Sequence, residues 1–320
     1  MDLSYLLWLQ NLRQASAVLE KLFAGISAFA VNPATMLIVF LIYWCLDRVQ
    51  GIEILSCFTF GQYVNNTIKL TACVYRPWIR SSAIVPSALA VDGATGYSFP
   101  SGHTQMAAST YGVIGKQEKK HKAIRWICWI FAALVAFSRN FLGVHTPQDV
   151  LAALLEAVVL WNLLQWFERK YVQDPSRGRR WILLASLLCF ATVLYYLFKS
   201  YPMDYENGML VVDPEEMQID GFGSVGMFLG FTLGWRMERK YVRFENCTGV
   251  MQAVIRILCG ILAVGAVTLA VHELKPLFDP RWYKLTEHFL QIFAGMFLTP
   301  LLFHAVENRK KSSEKERTQS

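Results

Sequence analysis

Apolar residues along this chain come in long unbroken runs rather than at alternate positions. Runs of about 15 to 22 residues fill 33–47, 52–70, 102–116, 123–141, 147–167, 181–198, 222–235, 250–271 and 285–303. A helix needs about 20 such residues to cross the hydrocarbon core of a bilayer. The expected fold is all-α, a polytopic transmembrane helical bundle with about nine candidate spans, of which those at 33, 102 and 222 are short for a full crossing. The first 30 residues differ. Leu3, Leu6, Leu7, Leu9 and Leu12, then Val18, Leu19, Leu22 and Phe23, recur at helical spacing around Arg13, Glu20 and Lys21. That pattern predicts an amphipathic segment lying in the interface, with Asn32-Pro33 opening the first span. The tail from 307 is charged, poor in apolar residues and expected to lack a fold of its own.

Composition agrees with the pattern. At 320 residues, 54% hydrophobic and 14% aromatic, with a mean hydropathy of +0.31, the chain is too apolar for a water-soluble domain. Cys45, Cys57, Cys73, Cys128, Cys189, Cys247 and Cys259 are scattered without any Cys-x2-Cys pair, which argues for buried thiols rather than a zinc site or disulfide framework. The net charge of +7 gathers beside the spans, which fits topology and anionic lipid and gives no reason to expect nucleic acid.

The basic residues also orient the bundle. Lys116, Lys119, Lys120, Lys122 and Arg125 stand against Glu118 alone in one loop, and Arg169, Lys170, Arg177, Arg179 and Arg180 against Asp174 in another. Such loops stay cytoplasmic. Arg236, Arg239, Lys240 and Arg243, and Arg309, Lys310, Lys311, Lys315 and Arg317 in the tail, fall on the same side if every run spans. The loop at 199–221, with Asp204, Glu206, Asp213, Glu215, Glu216 and Asp220, then faces outward.

Three polar stretches interrupt the apolar pattern in the first half, and the alternation brings all three out opposite the basic loops. Lys69 is followed by six residues and Arg76-Pro77; Pro100-Ser101-Gly102-His103 precedes the third run; Ser138-Arg139 is followed by five residues, His145, three residues and Asp149. Pro147 is tolerated only at a helix start, which makes Thr146 the expected N-cap and sets His145 at the helix mouth. Asp149, four residues on, can hold one imidazole nitrogen while the other points away. Arg76 and Arg139 can fork onto phosphate oxygens and Lys69 acts as a point charge. Ser101 and Gly102 begin a helix whose free N–H groups favour an anion.

In this order and spacing the three stretches resemble the signature motifs of the type-2 phosphatidic acid phosphatase superfamily, without a substitution. That superfamily includes membrane lipid phosphate phosphatases, undecaprenyl-diphosphatases and phosphatidylglycerophosphatases. The resemblance implies that His145 attacks phosphorus, Asp149 orients it, and His103 protonates the leaving group. It implies that Lys69, Arg76, Ser101, Gly102 and Arg139 bind the phosphate, with no metal and no cofactor. Residues 31–170 become the catalytic core, after an interfacial segment at 1–30; 171–306 become a transmembrane extension and 307–320 a cytoplasmic tail. The implied protein is a multi-pass cell-membrane enzyme whose active site is extracytoplasmic and whose substrate is a lipid phosphate or diphosphate. The alternative is a protein that binds or transports a lipid phosphate with the same basic pocket; the nucleophile, carboxylate and acid together argue for catalysis, since a binder needs only cations.

The remaining features read more plainly. His121, His272, His288 and His304 lie in no motif and are read as solvated or capped side chains. Glu156, seven residues after Asp149, is an intramembrane acid and so a functional candidate. The recurrence of Glu168-Arg169-Lys170-Tyr171-Val172 as 238–242 is read as two interfacial anchors. Gly223, Gly226, Gly230 and Gly234 lie along one helical face, which invites close packing on the core or, through Gly226, on a second copy of the chain.

Overall fold

The computed structural model describes residues 2–94, 96–167, 175–206 and 208–319. Nearly all regular structure among them is helical, apart from a two-residue hairpin of β1 (Tyr205–Glu206) and β2 (Met209–Leu210). In chain order come α1 (Asp2–Gln14), α2 (Ala17–Val31), α3 (Pro33–Leu41) with a wide turn to Leu46, α4 (Arg48–Ala72), and the single turns α5 (Pro77–Arg80) and α6 (Ala88–Val91). Then α7 (Gly102–Ala107) runs through a wide turn into α8 (Val113–Gln117), followed by α9 (Lys122–Phe141), α10 (Pro147–Phe167) and α11 (Pro175–Phe198). The second half holds α12 (Pro214–Tyr241), α13 (Val250–Glu273), α14 (Pro280–Phe293) and α15 (Thr299–Gln319). The boundaries follow from caps. Asp47 accepts the N–H groups of Val49 and Gln50 to start α4, Asn32 that of Ala34 to start α3, and proline stands first in α3, α12 and α14, where its missing N–H costs nothing.

Five described helices are long and apolar enough to cross a membrane, or six if the bent pair at the N-terminus counts as one; the expected nine is not reproduced. The difference has a physical source. α4 carries Gln62, Asn65, Asn66 and Lys69, so it is long but polar, and the 102–117 run is divided by its wide turn. α12 has the length but opens on Glu215 and Glu216 and closes on Arg239 and Lys240. Buried neighbours supply the partners that lipid would not: Asn65 and Gln62 are both buried.

The N-terminal segment is more than an interfacial helix. α1 and α2 meet at 114°, and both dock on the polar end of the bundle. The Arg13 guanidinium is buried and donates to the carbonyl of Phe141 at 2.8 Å and to that of Val85. Gln10 pairs with the backbone of Ala83 and Val85, and the Ser87 hydroxyl donates to Glu20. Phe29 packs edge-on against Phe131, so α2 descends along α9. Asn32 caps and Pro33 opens α3, as expected, and the pair forms the joint with α2. The 168–174 segment, with the first anchor repeat and Arg169 and Lys170 of the second basic loop, lies outside the described residues. The tail is helical through Gln319 rather than unstructured.

In the second half α12 is the central helix. A Cβ on Gly226 or Gly230 would overlap the carbonyl oxygens of Leu285 and Phe289, and one on Gly234 would lie 2.7 Å from Met296 Cβ. The glycine row is the seat of α14. This face is filled from within the chain, which corrects the reading of Gly226 as a contact to a second copy. The opposite flank of α12 joins α4 and α11 through Tyr63, Tyr196, Phe222 and Phe228.

Candidate active site

The three motif segments meet at one end of the bundle. α4 delivers Lys69 in its last turn, then ends on Cys73 in the left-handed region at φ 50°. The chain turns across the top to Arg76, whose guanidinium donates to Gly96 O at 3.1 Å and Val144 O at 2.9 Å. α9 ends on Arg139, and Gly143, at φ +72°, lets the chain reverse before His145. The 199–213 connection lies at this end too: Tyr75 donates to Asp204 at 2.6 Å.

Thr146 and Asp149 cap one another. Asp149 Oδ2 accepts the Thr146 N–H at 2.7 Å, and the Asp149 N–H points at Thr146 Oγ1 at 3.3 Å. The same Oδ2 lies 3.5 Å from His145 Nδ1. His145 Nε2 faces Arg76 Nη1 at 2.8 Å. A guanidinium can only donate, so Nε2 is the unprotonated nitrogen and the ring proton is on Nδ1, toward the carboxylate. Burial, reinforced by the charges of Arg76, Arg139 and Lys69, holds the His145 imidazolium pKa well below its usual value. Burial also lowers Arg76, to about 10, leaving it charged at neutral pH.

Arg139 is buried and uses Nη1 to donate to Ser27 Oγ at 2.6 Å, while its Nε and Nη2 are buried with no partner among the described residues. Unmatched buried donors are costly, and an oxyanion is the group that satisfies two of them at once. Lys69 is buried, and a Cβ built on Gly102 would lie 3.9 Å from its Nζ, which sets the ammonium against the start of α7. Ser101 is fully buried. Its N–H donates to Asp149 O at 3.1 Å and its Oγ accepts from Thr104, which ties the second motif to the third. His103 has no hydrogen-bond partner among the described residues, and it interacts electrostatically with Arg139, His145, Lys69 and Arg76. All eight residues expected from the sequence therefore converge. Glu156 is joined to the group through Asn65, which donates to it at 2.9 Å. Among the described residues no set of three His, Cys, Asp or Glu side chains is arranged to hold a metal ion.

Sequence reading missed several members. Ser98 Oγ donates to Asp149 Oδ2 at 2.6 Å, Asn140 donates to His145 O at 2.9 Å, and Ser27 and Arg13 reach in from the N-terminal helices. Ser98 and Asn140 stand within two positions of motif residues, which was the one available signal; nothing local marks Ser27 or Arg13.

Comparison with known proteins agrees with this geometry. Residues 50–173 match the PAP2 superfamily, and residues 222–311 match the transmembrane extension of PAP2 superfamily phosphatases. The chain is 26% identical over 273 residues to glucose-6-phosphatase catalytic subunit 1 of Felis catus, a match covering 75% of this chain and 76% of that protein. It is 33% identical over 115 residues to phosphatidylglycerophosphatase B of Bacillus subtilis, covering 33% of this chain and 56% of that protein. It is 30% identical over 132 residues to undecaprenyl-diphosphatase of Sulfolobus acidocaldarius, covering 41% and 58%. The chain thus spans little more than half the length of these two microbial relatives. No solved structure matches it significantly. With both matched segments in order and the polar motifs assembled at one end of a helical membrane protein, the chain belongs to the PAP2 superfamily.

Proposed function

We propose that this chain hydrolyses a lipid phosphate monoester or diphosphate through a phosphohistidine, without a metal, at the extracytoplasmic face of the membrane. The observation that carries the reading is the pairing of a buried, unprotonated His145 Nε2 with cationic donors. Arg76 lies 2.8 Å from that nitrogen and Arg139 has two nitrogens, Nε and Nη2, without a partner among the described residues. A phosphate dianion draws the Arg76 donor onto its own oxygens and uncovers the Nε2 lone pair. Lys69, Arg139 and the N–H groups at the start of α7 neutralise the remaining oxygens, the electrostatic work that dominates phosphoryl transfer.

His145 Nε2 then bonds to phosphorus as the P–O bond to the lipid alcohol breaks, and His103, protonated beside the bound dianion, gives its proton to the departing oxygen. Asp149 stabilises the Nδ1–H of the substituted ring. In the second half His103 takes a proton from water, whose oxygen attacks phosphorus while the P–N bond breaks, releasing inorganic phosphate.

The match to glucose-6-phosphatase catalytic subunit 1 runs over three quarters of the chain, the C-terminal half included, and favours a second reading in which the same site takes a water-soluble sugar phosphate. The test is phosphate release by the purified chain from phosphatidic acid, phosphatidylglycerol phosphate, a sphingoid phosphate, polyprenyl phosphates and diphosphates, and glucose 6-phosphate. Release from a lipid that vanishes in His145→Ala and survives chelation is the expected result. Release from glucose 6-phosphate alone would select the second reading, and near-normal turnover in the His145 variant would remove the mechanism.

A further inference from the structure

Two helical rows lead away from the candidate site into the bundle. On α4, Lys69, Asn65, Gln62 and Phe58 follow at spacings of four, three and four and share a face. On α7 and its continuation, His103, Met106 and Thr110 do the same. The two helices are tied together beside these rows, since Gln62 donates to Gln105, which donates to Ser109 at 2.8 Å. Both rows end in one cavity of about 280 Å³.

Its walls are mostly apolar: Met36, Val39, Phe58, Met106, Met227 and Ile292. Met106 is one turn, roughly 4.5 Å, from His103, and Phe58 is eleven residues, roughly 16 Å, from Lys69. Along these two helices the cavity therefore begins one turn from His103 and lies deeper in the bundle than the phosphate-facing groups. Three methionines line it, with His288 and Gln291 among the polar members of its wall; the unbranched methionine side chains adapt to a flexible partner better than branched ones do. Thr110 Oγ1, also at the cavity, is buried without a partner among the described residues. The size is close to the lower end of ordinary ligand sites, about 300 Å³.

We propose that this cavity binds the apolar chain of the substrate's lipid next to its phosphate, and so sets chain selectivity; the inference rests on the lipid phosphatase reading above. Its position assigns a task to parts of the molecule that hold no motif. Met36 and Val39 come from α3, just after the Asn32-Pro33 joint, and Met227 and Ile292 from α12 and α14 of the C-terminal half. Met106 and Phe58 stand on the helices that carry His103 and Lys69, so an amphiphile with phosphate at Arg139 and its chain among the methionines would use both, whereas a sugar phosphate leaves the cavity unused.

The experiment compares the full chain with Met227→Trp, which fills the cavity from the side away from the motifs. Substrates are dipalmitoyl phosphatidic acid in mixed micelles and para-nitrophenyl phosphate, which has no chain. Displacing two methylenes costs about 1.6 kcal/mol at about 0.8 kcal/mol each, so kcat/KM for phosphatidic acid falls about tenfold or more. That for para-nitrophenyl phosphate stays within about twofold of the parent. Met106→Ala, which enlarges the cavity, serves if the tryptophan variant does not fold, and shifts preference toward a branched-chain phosphatidic acid. Equal loss on both substrates, or unchanged selectivity in a parent that cleaves phosphatidic acid, overturns the assignment of the cavity. A parent that cleaves para-nitrophenyl phosphate but no lipid instead overturns the lipid reading and the cavity proposal with it.

Discussion

Ser98 donates its hydroxyl to Oδ2 of Asp149 at 2.6 Å, and the same oxygen faces His145 Nδ1 at 3.5 Å. Ser98 Oγ also lies 3.4 Å from that nitrogen. The carboxylate is thus held by a side chain from a different segment as well as by its own helix cap, and its angle to the imidazole depends on both. Ser98→Ala removes a hydrogen bond to a charged acceptor, worth about 1.5–3 kcal/mol. We expect kcat to fall roughly ten- to a hundredfold with KM little changed, less than for Asp149→Asn, which loses the counter-charge itself. Steady-state kinetics on one soluble ester separates the two; a KM effect alone would deny Ser98 its role.

Ser27 fixes Arg139 from outside the matched core. In Ser27→Ala the Nη1 donor loses its 2.6 Å acceptor, and a third buried guanidinium nitrogen joins the two already without a partner among the described residues. The arginine is then free to turn, so phosphate binding weakens: KM rises several-fold, kcat changes less, and Ser27→Thr restores both. Inhibition by inorganic phosphate gives the same comparison without turnover, since its Ki should rise in parallel.

How much of this was legible beforehand depended on whether a feature is local in sequence. The Thr146 cap on the Asp149 N–H and the turn of His145 Nδ1 toward Asp149 follow from residues within four positions of one another, and the spacing alone predicted them; that Arg76 covers Nε2 was not legible there. The convergence of Lys69, Arg76, Ser101 and Arg139 was expected from the alternation of basic loops with the motif loops along the chain, and the structure brings the four to one end of the bundle. Ser27 and Arg13 were not, because both act across more than one hundred positions and their own surroundings look like any amphipathic helix. The count of nine spans is not reproduced for a related reason. Gln62 and Asn65 make α4 too polar for lipid, yet they are satisfied by Gln105 and Glu156, and polar side chains paired inside a bundle do not prevent a helix from being buried there.

The environment of His145 predicts a dependence of stability on pH. Its folded pKa lies well below the ordinary histidine value of about 6.5. Above that value neither folded nor unfolded chain binds the proton. Below it the unfolded state takes it up and the folded state does not, so stability is fully present above about pH 6.5 and is lost progressively as pH falls. Thermal unfolding in detergent should therefore decline more steeply from pH 6.5 to 5 in the parent than in His145→Gln. Equal slopes would mean that the imidazole accepts its proton in place.

Sidedness is testable at Val85, which is half exposed, with its backbone held by Gln10 and Arg13. After replacement of accessible native cysteines, Val85→Cys is expected to react with an impermeant maleimide in intact cells, and a cysteine at Lys119 only after permeabilisation. The opposite pattern turns the bundle over and makes the substrate a lipid of the cytoplasmic leaflet.

The seat of α14 on α12 makes the sharpest stability prediction. Leucine at Gly226 or Gly230 has its Cβ inside the carbonyl oxygens of Leu285 and Phe289, and these are backbone atoms that no rotamer change can move aside. The helices must separate, which breaks the close approach along the whole glycine row and parts the edge-on ring pair of Phe222 and Trp282. Because the row is filled by the chain's own helix, the expected outcome is loss of folded protein, seen as a lower melting temperature and early aggregation, rather than a change in oligomeric state. Gly112→Ala and Gly265→Ala are the controls. No atom lies within 4 Å of a Cβ at either site, and replacing a helical glycine by alanine stabilises by roughly 0.5–1 kcal/mol. If Gly226→Leu left melting unchanged and converted a dimer into a monomer, the glycine face would have to be open in the assembled protein and α14 seated elsewhere.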